Sequence, residues 1–135
     1  MKNTFFLLLA AFAFPGFSGC SKSNNNNNNS SDISSIIQIT SPTPASIYIN
    51  GSTLQVRGNI SDPNGLSSAK LVVKANTGML LYQTETPTGS VTYYNLNWDW
   101  PITGITTSTP VTLTVTAKDY NSKLISKDVS FTLTD

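Results

Sequence analysis

Hydrophobic and polar side chains alternate with a period of two along most of the chain after residue 35, and no stretch there has a helical period. The clearest segment is VTLTVTAKD at 111–119, which places valine, leucine and alanine on one face and threonine on the other. Threonine suits the solvated face of a strand. DVSFTLTD at 128–135 repeats the pattern. The alternation therefore predicts an all-β fold.

Further alternating segments lie between turn signals and complete the predicted set of strands. They are IIQI at 36–39, SIYI at 46–49, TLQVRGNI at 53–60, SAKLVVKAN at 68–76, MLLYQTE at 79–85 and VTYYNLNWDW at 91–100. Lys70, Lys74 and Glu85 carry charges of the kind that protect strand edges. The cluster SDPNG at 61–65 is typical of a tight turn. These eight segments at this spacing predict a β-sandwich of about seven strands with one core.

The first residues have the layout of a secretory signal peptide. Lys2 precedes an apolar run at 5–14, and Pro15-Gly16 then leads into small residues. As a helix, ten residues rise only about 15 Å, whereas the hydrocarbon core of a bilayer is roughly 30 Å thick. The run is therefore predicted to be a cleaved targeting segment, which assigns residues 1–19 to a signal peptide.

The only cysteine of the chain directly follows this segment. Phe17-Ser18-Gly19-Cys20 resembles the lipobox of bacterial lipoproteins, in which two small residues precede the cysteine; Phe17 stands where that family usually has an aliphatic residue. The resemblance implies that the signal peptide is cut before Cys20 and that Cys20 carries a diacylglycerol and usually a further acyl chain. A free or disulfide-bonded thiol is the alternative, but a lone cysteine cannot form a bridge within the chain.

Residues 20–35 are predicted to be the lipidated cysteine and a disordered tether. The segment is rich in asparagine and serine, so it buries too little to offset the entropy of ordering. A flexible chain of this length holds a domain roughly 20 Å from the membrane. Ser21 follows the cysteine, where an aspartate in lipoproteins commonly marks retention in the inner membrane. The resemblance therefore favours the outer membrane of a Gram-negative envelope. It does not assign the domain to the periplasmic or the external side of that membrane.

Composition excludes several classes of function. Loss of Lys2 with the signal peptide leaves seven of the eight basic residues against seven acidic ones, and neither sign forms a run. Nothing therefore favours nucleic acid as a partner. The chain has no histidine, so it lacks the usual general base and the commonest metal ligand. Without an evident activated nucleophile, the protein is predicted not to be an enzyme.

A series of short motifs spans the predicted domain at 36–135. Ser41-Pro42, Gly51, DPNGL at 62–66 and VTLTVTAKDYN at 111–121 follow one another ahead of the last strand. This series resembles the bacterial immunoglobulin-like domains of surface and secreted proteins. The resemblance implies a single immunoglobulin-like β-sandwich of about seven strands, a fold that carries many unrelated functions.

One turn departs from that family's pattern. The second signature of the family usually reads Ala-x-Asp-x-x-Gly-Asn, and Ala117 and Asp119 match it. Ser122-Lys123 stands in place of Gly-Asn, so this turn is expected to differ. The chain also has no Cys-Trp-Cys framework, which argues against the antibody-type subclass.

Two Asp-x-Asn pairs are predicted to meet at one end of the sandwich. Asp62 and Asn64 follow an early strand, and Asp119 and Asn121 precede the last strand. Their oxygen atoms are of the type that Ca²⁺ prefers, but Ca²⁺ takes six to eight such ligands. The alternative is that aspartate and asparagine close their own turns by accepting hydrogen bonds from backbone amides. No cofactor is therefore predicted, and Ca²⁺ stays as an alternative.

A second candidate site lies on the segment at 91–100. Tyr94, Leu96, Trp98 and Trp100 share the face expected to pack in the core, and Asp99 lies on the opposite face. An outward stripe of Tyr93, Asn95 and Asn97, with Tyr82 or Trp100 nearby, has the mixture of aromatic rings and amides that binds sugars. An ordinary strand surface is the alternative.

These observations predict a lipid-anchored, non-catalytic module for protein interaction or adhesion. The predicted partners are the membrane, through the N-terminal lipid, and a protein that binds at a loop pole or a sheet edge. The alternative is a glycan-binding surface lipoprotein. An exposed, coplanar aromatic platform would favour a glycan, whereas buried aromatic rings and a bare strand edge would favour a protein.

Overall fold

The structure, a computed structural model, describes residues 34–135, which form six β-strands and no helix. The strands are β1 (Ile36–Ser41), β2 (Ile47–Ile49), β3 (Thr53–Ala75), β4 (Leu80–Pro101), β5 (Thr109–Asp119) and β6 (Leu124–Thr134). The predicted signal peptide, Cys20 and the tether up to residue 33 lie outside the described residues. Residues 34–135 contain no helix with the length and hydropathy of a membrane span.

The long strands β3 and β4 each take part in both layers of the sandwich. The first leg of β3 (53–61) pairs with β1 and with the second leg of β4 (93–101). The second leg of β3 (66–75) pairs with β5 and with the first leg of β4 (80–87). β5 pairs with β6, and β2 runs parallel to the end of β6. The predicted immunoglobulin-like β-sandwich is thereby confirmed.

The strand count differs from the prediction because two predicted turns are bends within continuous strands. The turn signal at 61–65 lies inside β3, where the pairing register with β4 shifts between Ser61 and Leu66. Such an irregularity bends a strand without ending it. In the same way, the predicted strands at 79–85 and 91–100 are the two legs of β4.

A single hydrophobic core lies between the two layers. The inward positions of the alternating segments contribute to it from both legs of β3 and from β4, β5 and β6, so one buried cluster joins the layers. Leu71, Val115 and Leu133 are completely buried. Leu96 and Trp100 of β4 are also buried, whereas Tyr94 and Trp98 pack against the core from its rim. The predicted inward faces are confirmed.

The first leg of β3 runs unusually close to β1 at one position. Gly58 pairs with Ile39, and a Cβ atom at residue 58 would overlap the backbone carbonyl oxygen of Gln38. The β1 pairing also shifts register between Ile39 and Ser41. Glycine at position 58 is therefore what allows β1 to lie against β3.

A cross-strand ion pair lies on the outer face of β3 and β4. The Arg57 guanidinium donates to Asp99 Oδ1 at 2.7 Å and to the backbone carbonyl oxygens of Val56 and Trp98, each at 3.0 Å. The side chains of Arg57 and Asp99 are 32% and 55% exposed, so solvent screens their attraction.

Asp99→Asn is expected to lower the free energy of unfolding by less than about 0.5 kcal/mol, because the pair is exposed. Arg57→Ala is expected to cost about 1 kcal/mol, because it also removes the bonds to two carbonyl groups. Urea unfolding of both variants checks this order. An equal loss in the two variants would show that the carboxylate, not the carbonyl groups, provides the main contact of Arg57.

The loops gather at two ends of the sandwich. The loop-like bends 61–66 of β3 and 88–92 of β4 form one end together with the loop 119–123; we call this end the aspartate pole because it contains Asp62 and Asp119. β1 begins at this pole, because Ile36 pairs with Ser61. The loops 50–52, 76–79 and 102–108 form the opposite pole.

Candidate functional site

The aspartate pole brings together the two predicted Asp-x-Asn loops and a third loop. The Tyr120 backbone N–H donates to the carbonyl oxygen of Gly65 at 3.1 Å. A Cβ atom placed on Gly65 would lie 3.4 Å from the Ser90 carbonyl oxygen and 3.7 Å from the Tyr120 ring. Leu66 pairs with both Val91 and Asp119. The pole is therefore one contiguous surface.

The two aspartates of this pole are buried and hold their own loops. Asp62 and Asp119 are 3% and 2% exposed, respectively. Asp62 Oδ1 accepts the Asn64 backbone N–H at 2.8 Å, and Asp119 Oδ1 accepts the Lys123 backbone N–H at 2.7 Å. Asn64 and Asn121 are exposed. These contacts are the turn closures given as the alternative to a metal site.

The observed contacts leave few oxygen ligands for calcium. One carboxylate oxygen of each aspartate already accepts a backbone hydrogen bond, and Asp119 Oδ2 is buried without a hydrogen-bond partner. No three His, Cys, Asp or Glu side chains in residues 34–135 lie close enough together to hold a metal ion. Ca²⁺, which takes six to eight oxygen ligands, stays an alternative to the predicted absence of a cofactor.

Asp119→Ala is expected to lower the free energy of unfolding by about 2 kcal/mol, because the part-buried hydrogen bond from the Lys123 amide to the buried carboxylate is lost. Asp119→Asn is expected to lose less, since its amide oxygen still accepts this bond. Asn121→Ala is the matched control on the exposed side of the loop and is expected to change stability by less than about 0.5 kcal/mol. Chemical unfolding checks the order. If Asn121→Ala lost as much stability as Asp119→Ala, the assignment of the turn closure to the Asp119 side chain would be wrong.

The same loop contains a serine in a conformation that favours glycine. Ser122 has φ of +66° and stands where the signature that this turn resembles has glycine. The turn thus keeps a left-handed residue although its sequence departs from that signature. The conformation costs a non-glycine residue roughly 1 kcal/mol. Ser122→Gly is therefore expected to raise the melting temperature by a few degrees in a thermal unfolding scan. A lower melting temperature would show that the Ser122 side chain stabilises the turn.

The predicted stripe on β4 is exposed but lacks neighbouring rings. Tyr93, Asn95 and Asn97 are all exposed on the outer face, with Tyr93 at 53%. Tyr82 and Trp100 do not flank them. They stack on each other with ring centroids 5.4 Å apart and an interplanar angle of 14°, and Trp100 is buried. The expectation of a second ring beside the stripe is therefore corrected: Trp100 lies in the core, and Tyr82 is partly buried against it.

The sequence did not indicate the apolar surface of the aspartate pole. Ser61, Asp62, Pro63, Thr92 and Tyr93 line a shallow hollow of about 440 Å³ there. The side chains of Val91, Tyr120 and Leu124 are also exposed on the pole. One available signal was that Tyr120 and Leu124 flank the Asp119 turn, where polar residues are the rule.

β4 provides a long unpaired strand edge. It contains 22 residues, and its only backbone pairing within residues 34–135 is with β3. β4 branches from β3, and the two ends of the strand order are the shorter strands β1, with six residues, and β2, with three. An unpaired edge presents backbone N–H and C=O groups to another chain.

Comparison with known proteins supports the fold. No protein-family model and no curated protein matches the chain. Among solved structures, it is similar to the fibronectin(III)-like modules of Clostridium thermocellum CbhA, with a TM-score of 0.51 and 12% identity, over 73% of this chain and 94% of that chain. It is also similar to CopC from Methylosinus trichosporium OB3b, with a TM-score of 0.48 and 12% identity, over 75% of this chain and 94% of that chain. The fold class of the chain is therefore an immunoglobulin-like, fibronectin(III)-like β-sandwich.

Proposed function

We propose that this protein is a lipid-anchored, non-catalytic module that binds a protein partner along the outer edge of β4. The open edge of this strand is the observation that carries the proposal. The anchor is the acylated Cys20, and the outer membrane of a Gram-negative envelope is the proposed location.

The β4 edge fits a partner that adds a strand to the sheet. Main-chain hydrogen bonds provide affinity in this mode, and side chains that alternate along the edge provide specificity. β4 offers its edge in both layers, because its first leg lies in one layer and its second leg in the other. Leu80, which is 53% exposed, and Met79, at 59%, add apolar surface where the strand begins.

The aromatic residues favour a protein partner over a glycan. Tyr93 and Tyr120 are the large exposed aromatic side chains of residues 34–135, and no ring contact joins them. The one closely stacked pair of this region, Tyr82 and Trp100, packs with the core. A sugar-binding platform needs coplanar exposed rings, so the glycan alternative rests on Tyr93 alone.

The absence of histidine from the chain supports a non-catalytic function. The remaining candidates for acid-base chemistry at the aspartate pole are Asp62 and Asp119. Both are buried, and both accept hydrogen bonds from the backbone of their own loops. Their contacts are those of structural residues.

A capture experiment with two adjacent proline substitutions tests the β4 edge. The full-length, acylated protein is displayed on vesicles and exposed to envelope extract, together with Gln83→Pro and Thr84→Pro. Successive residues of an antiparallel edge strand point their N–H groups alternately toward the paired strand and away from it. One of the two prolines therefore removes an outward donor only, while the other removes a donor to β3.

The variant that keeps its melting temperature to within a few degrees identifies the outward position. That variant is expected to lose capture of the partner about tenfold or more, because proline both removes a donor and obstructs strand addition. Unchanged capture by this folded variant would exclude the β4 edge. A parallel glycan array distinguishes the alternative: a glycan signal that is lost in Tyr93→Ala would replace the protein partner by a sugar.

A further inference from the structure

The tether joins the domain at the aspartate pole. Ile36, the first residue of β1, pairs with Ser61 beside the loop 61–66. The chain from Cys20 therefore enters the sandwich next to Asp62 and not at the opposite pole. This connection limits which end of the domain lies near an anchor at Cys20.

The length of the connecting chain favours one orientation. If the 15 residues at 21–35 form the disordered tether that the sequence predicts, they reach at most about 50 Å when fully extended and roughly 20 Å on average. β5, with 11 residues, spans about 36 Å from one pole to the other. To place the opposite pole on the membrane, the tether has to run back along the domain and use most of its length. The aspartate pole is the end that the tether keeps close to the lipid.

The exposed side chains of this pole suit a membrane interface. Tyr93, Tyr120 and Leu124 are 53%, 54% and 63% exposed. Tyrosine has an apolar ring and a polar tip, and it is enriched where hydrocarbon meets water. Val91, at 39% exposed, adds an aliphatic side chain to this surface.

The exposed charged side chains of this pole are both lysines. Lys118 and Lys123 are exposed, whereas the carboxylates of Asp62 and Asp119 are buried and accept backbone hydrogen bonds. The segments 61–66, 88–93 and 118–124 contain no other charged residue. The charges of Lys22 and Asp32, the two charged residues of the tether, cancel. The pole therefore presents lysines and apolar groups together, the combination that attracts a domain to anionic headgroups.

We propose that the aspartate pole docks on the lipid headgroup surface of the membrane that holds Cys20, with Tyr120, Leu124 and Tyr93 in the interface and Lys118 and Lys123 among the headgroups. The proposal rests on the lipid anchor of the proposed function. Docking stands the sandwich upright, so the edges of the two legs of β4 stay accessible away from the docked bend at 88–93. Because the lipid anchor already holds the domain at the membrane, even a weak affinity of the pole for the headgroups is sufficient for docking.

The test places a fluorophore at each pole of the full-length, acylated protein. Asn121→Cys reports the aspartate pole, and Thr106→Cys reports the opposite pole; both positions are exposed. The acylated Cys20 has no free thiol, so an environment-sensitive dye attaches only to the new cysteine. The proteins are reconstituted into vesicles of phosphatidylethanolamine and phosphatidylglycerol that contain a lipid with a nitroxide on its headgroup.

Quenching of the dye at residue 121 is expected to exceed that at residue 106 by about threefold or more, with a blue-shifted emission. Lys118→Glu together with Lys123→Glu is expected to abolish most of this difference while the protein still floats with the vesicles. Equal quenching at the two positions in vesicle-bound protein would overturn the proposal. A blue shift that rises with protein density without lipid quenching would also overturn it and show that a second copy covers the pole.

Failure of the anchor gives a different result from failure of docking. If Cys20 is not acylated, the unsubstituted protein takes up the dye and does not float with the vesicles. If Cys20 is acylated but the pole does not dock, the unsubstituted protein takes up no dye, all variants float, and the two labels are quenched equally.

Discussion

Replacing Cys20 by serine is expected to move the protein from the membrane to the soluble fraction almost completely. Burial of each CH₂ group contributes about 0.8 kcal/mol, so the two or three acyl chains that the lipobox resemblance implies contribute on the order of 20 to 30 kcal/mol. No substitution on the surface of the domain offsets a loss of that size. The contacts proposed for the aspartate pole are far weaker, and they do not hold the domain on a membrane without the anchor.

Fractionation of cells that express the full-length chain measures this effect. Ser18→Ala is the matched control, because it keeps a small residue in the lipobox and is expected to leave the protein in the membrane fraction. Metabolic labelling with a fatty acid gives a second readout, which is expected to be positive for the control and negative for Cys20→Ser. A Cys20→Ser protein that stays with the membrane would refute the lipid anchor.

Gly58→Ala is expected to cause the largest loss of stability of any alanine substitution at a glycine of the domain. The added Cβ would overlap the Gln38 carbonyl oxygen, which is a backbone atom that cannot turn away. Relief requires β1 to shift away from β3, so backbone pairing is lost together with packing. We expect the free energy of unfolding to fall by about 3 kcal/mol or more. For a domain of about 100 residues, this loss corresponds to a melting temperature lower by roughly 12 °C or more.

Gly51→Ala separates this steric effect from backbone strain. Gly51 has φ of +85°, and no atom lies within 4 Å of the position of its Cβ. Its substitution is therefore expected to cost only about 1 to 2 kcal/mol, the penalty for a left-handed residue. Thermal and urea unfolding of the two variants give the comparison. Equal losses would show that β1 adjusts to the new methyl group without losing its pairing.

Local patterns were sufficient to predict the faces of the strands. In β5, residues alternate between valine or leucine and threonine, and the structure buries the predicted side of the strand. This success has a physical cause, because burial of one face requires a period of two. The turn residues Asp62 and Asp119 were also identified, since their side chains bond to the backbone within a few residues.

Features that depend on distant parts of the chain were not predictable in the same way. Nothing in the residues around Gly58 indicates that Gln38, twenty residues earlier, passes so close. The continuity of β3 through its turn signal depends on pairing with β4 and β5 on either side. The stack of Tyr82 on Trp100 likewise depends on how the two legs of β4 face each other across the core. The apolar surface of the aspartate pole arises only when three loops meet.

The central place of β3 determines how the domain carries mechanical force. β3 lies between β1, which leads to the tether, and β4, whose outer edge is the proposed binding surface. When a partner on β4 is pulled away from the membrane, the load crosses both pairings and leaves through the start of β1. The pull then runs along the strands, so the β1–β3 hydrogen bonds are sheared together rather than opened one after another. With the proposed partner and the proposed lipid anchor in place, the same arrangement that exposes β4 would make the domain a mechanical link between them.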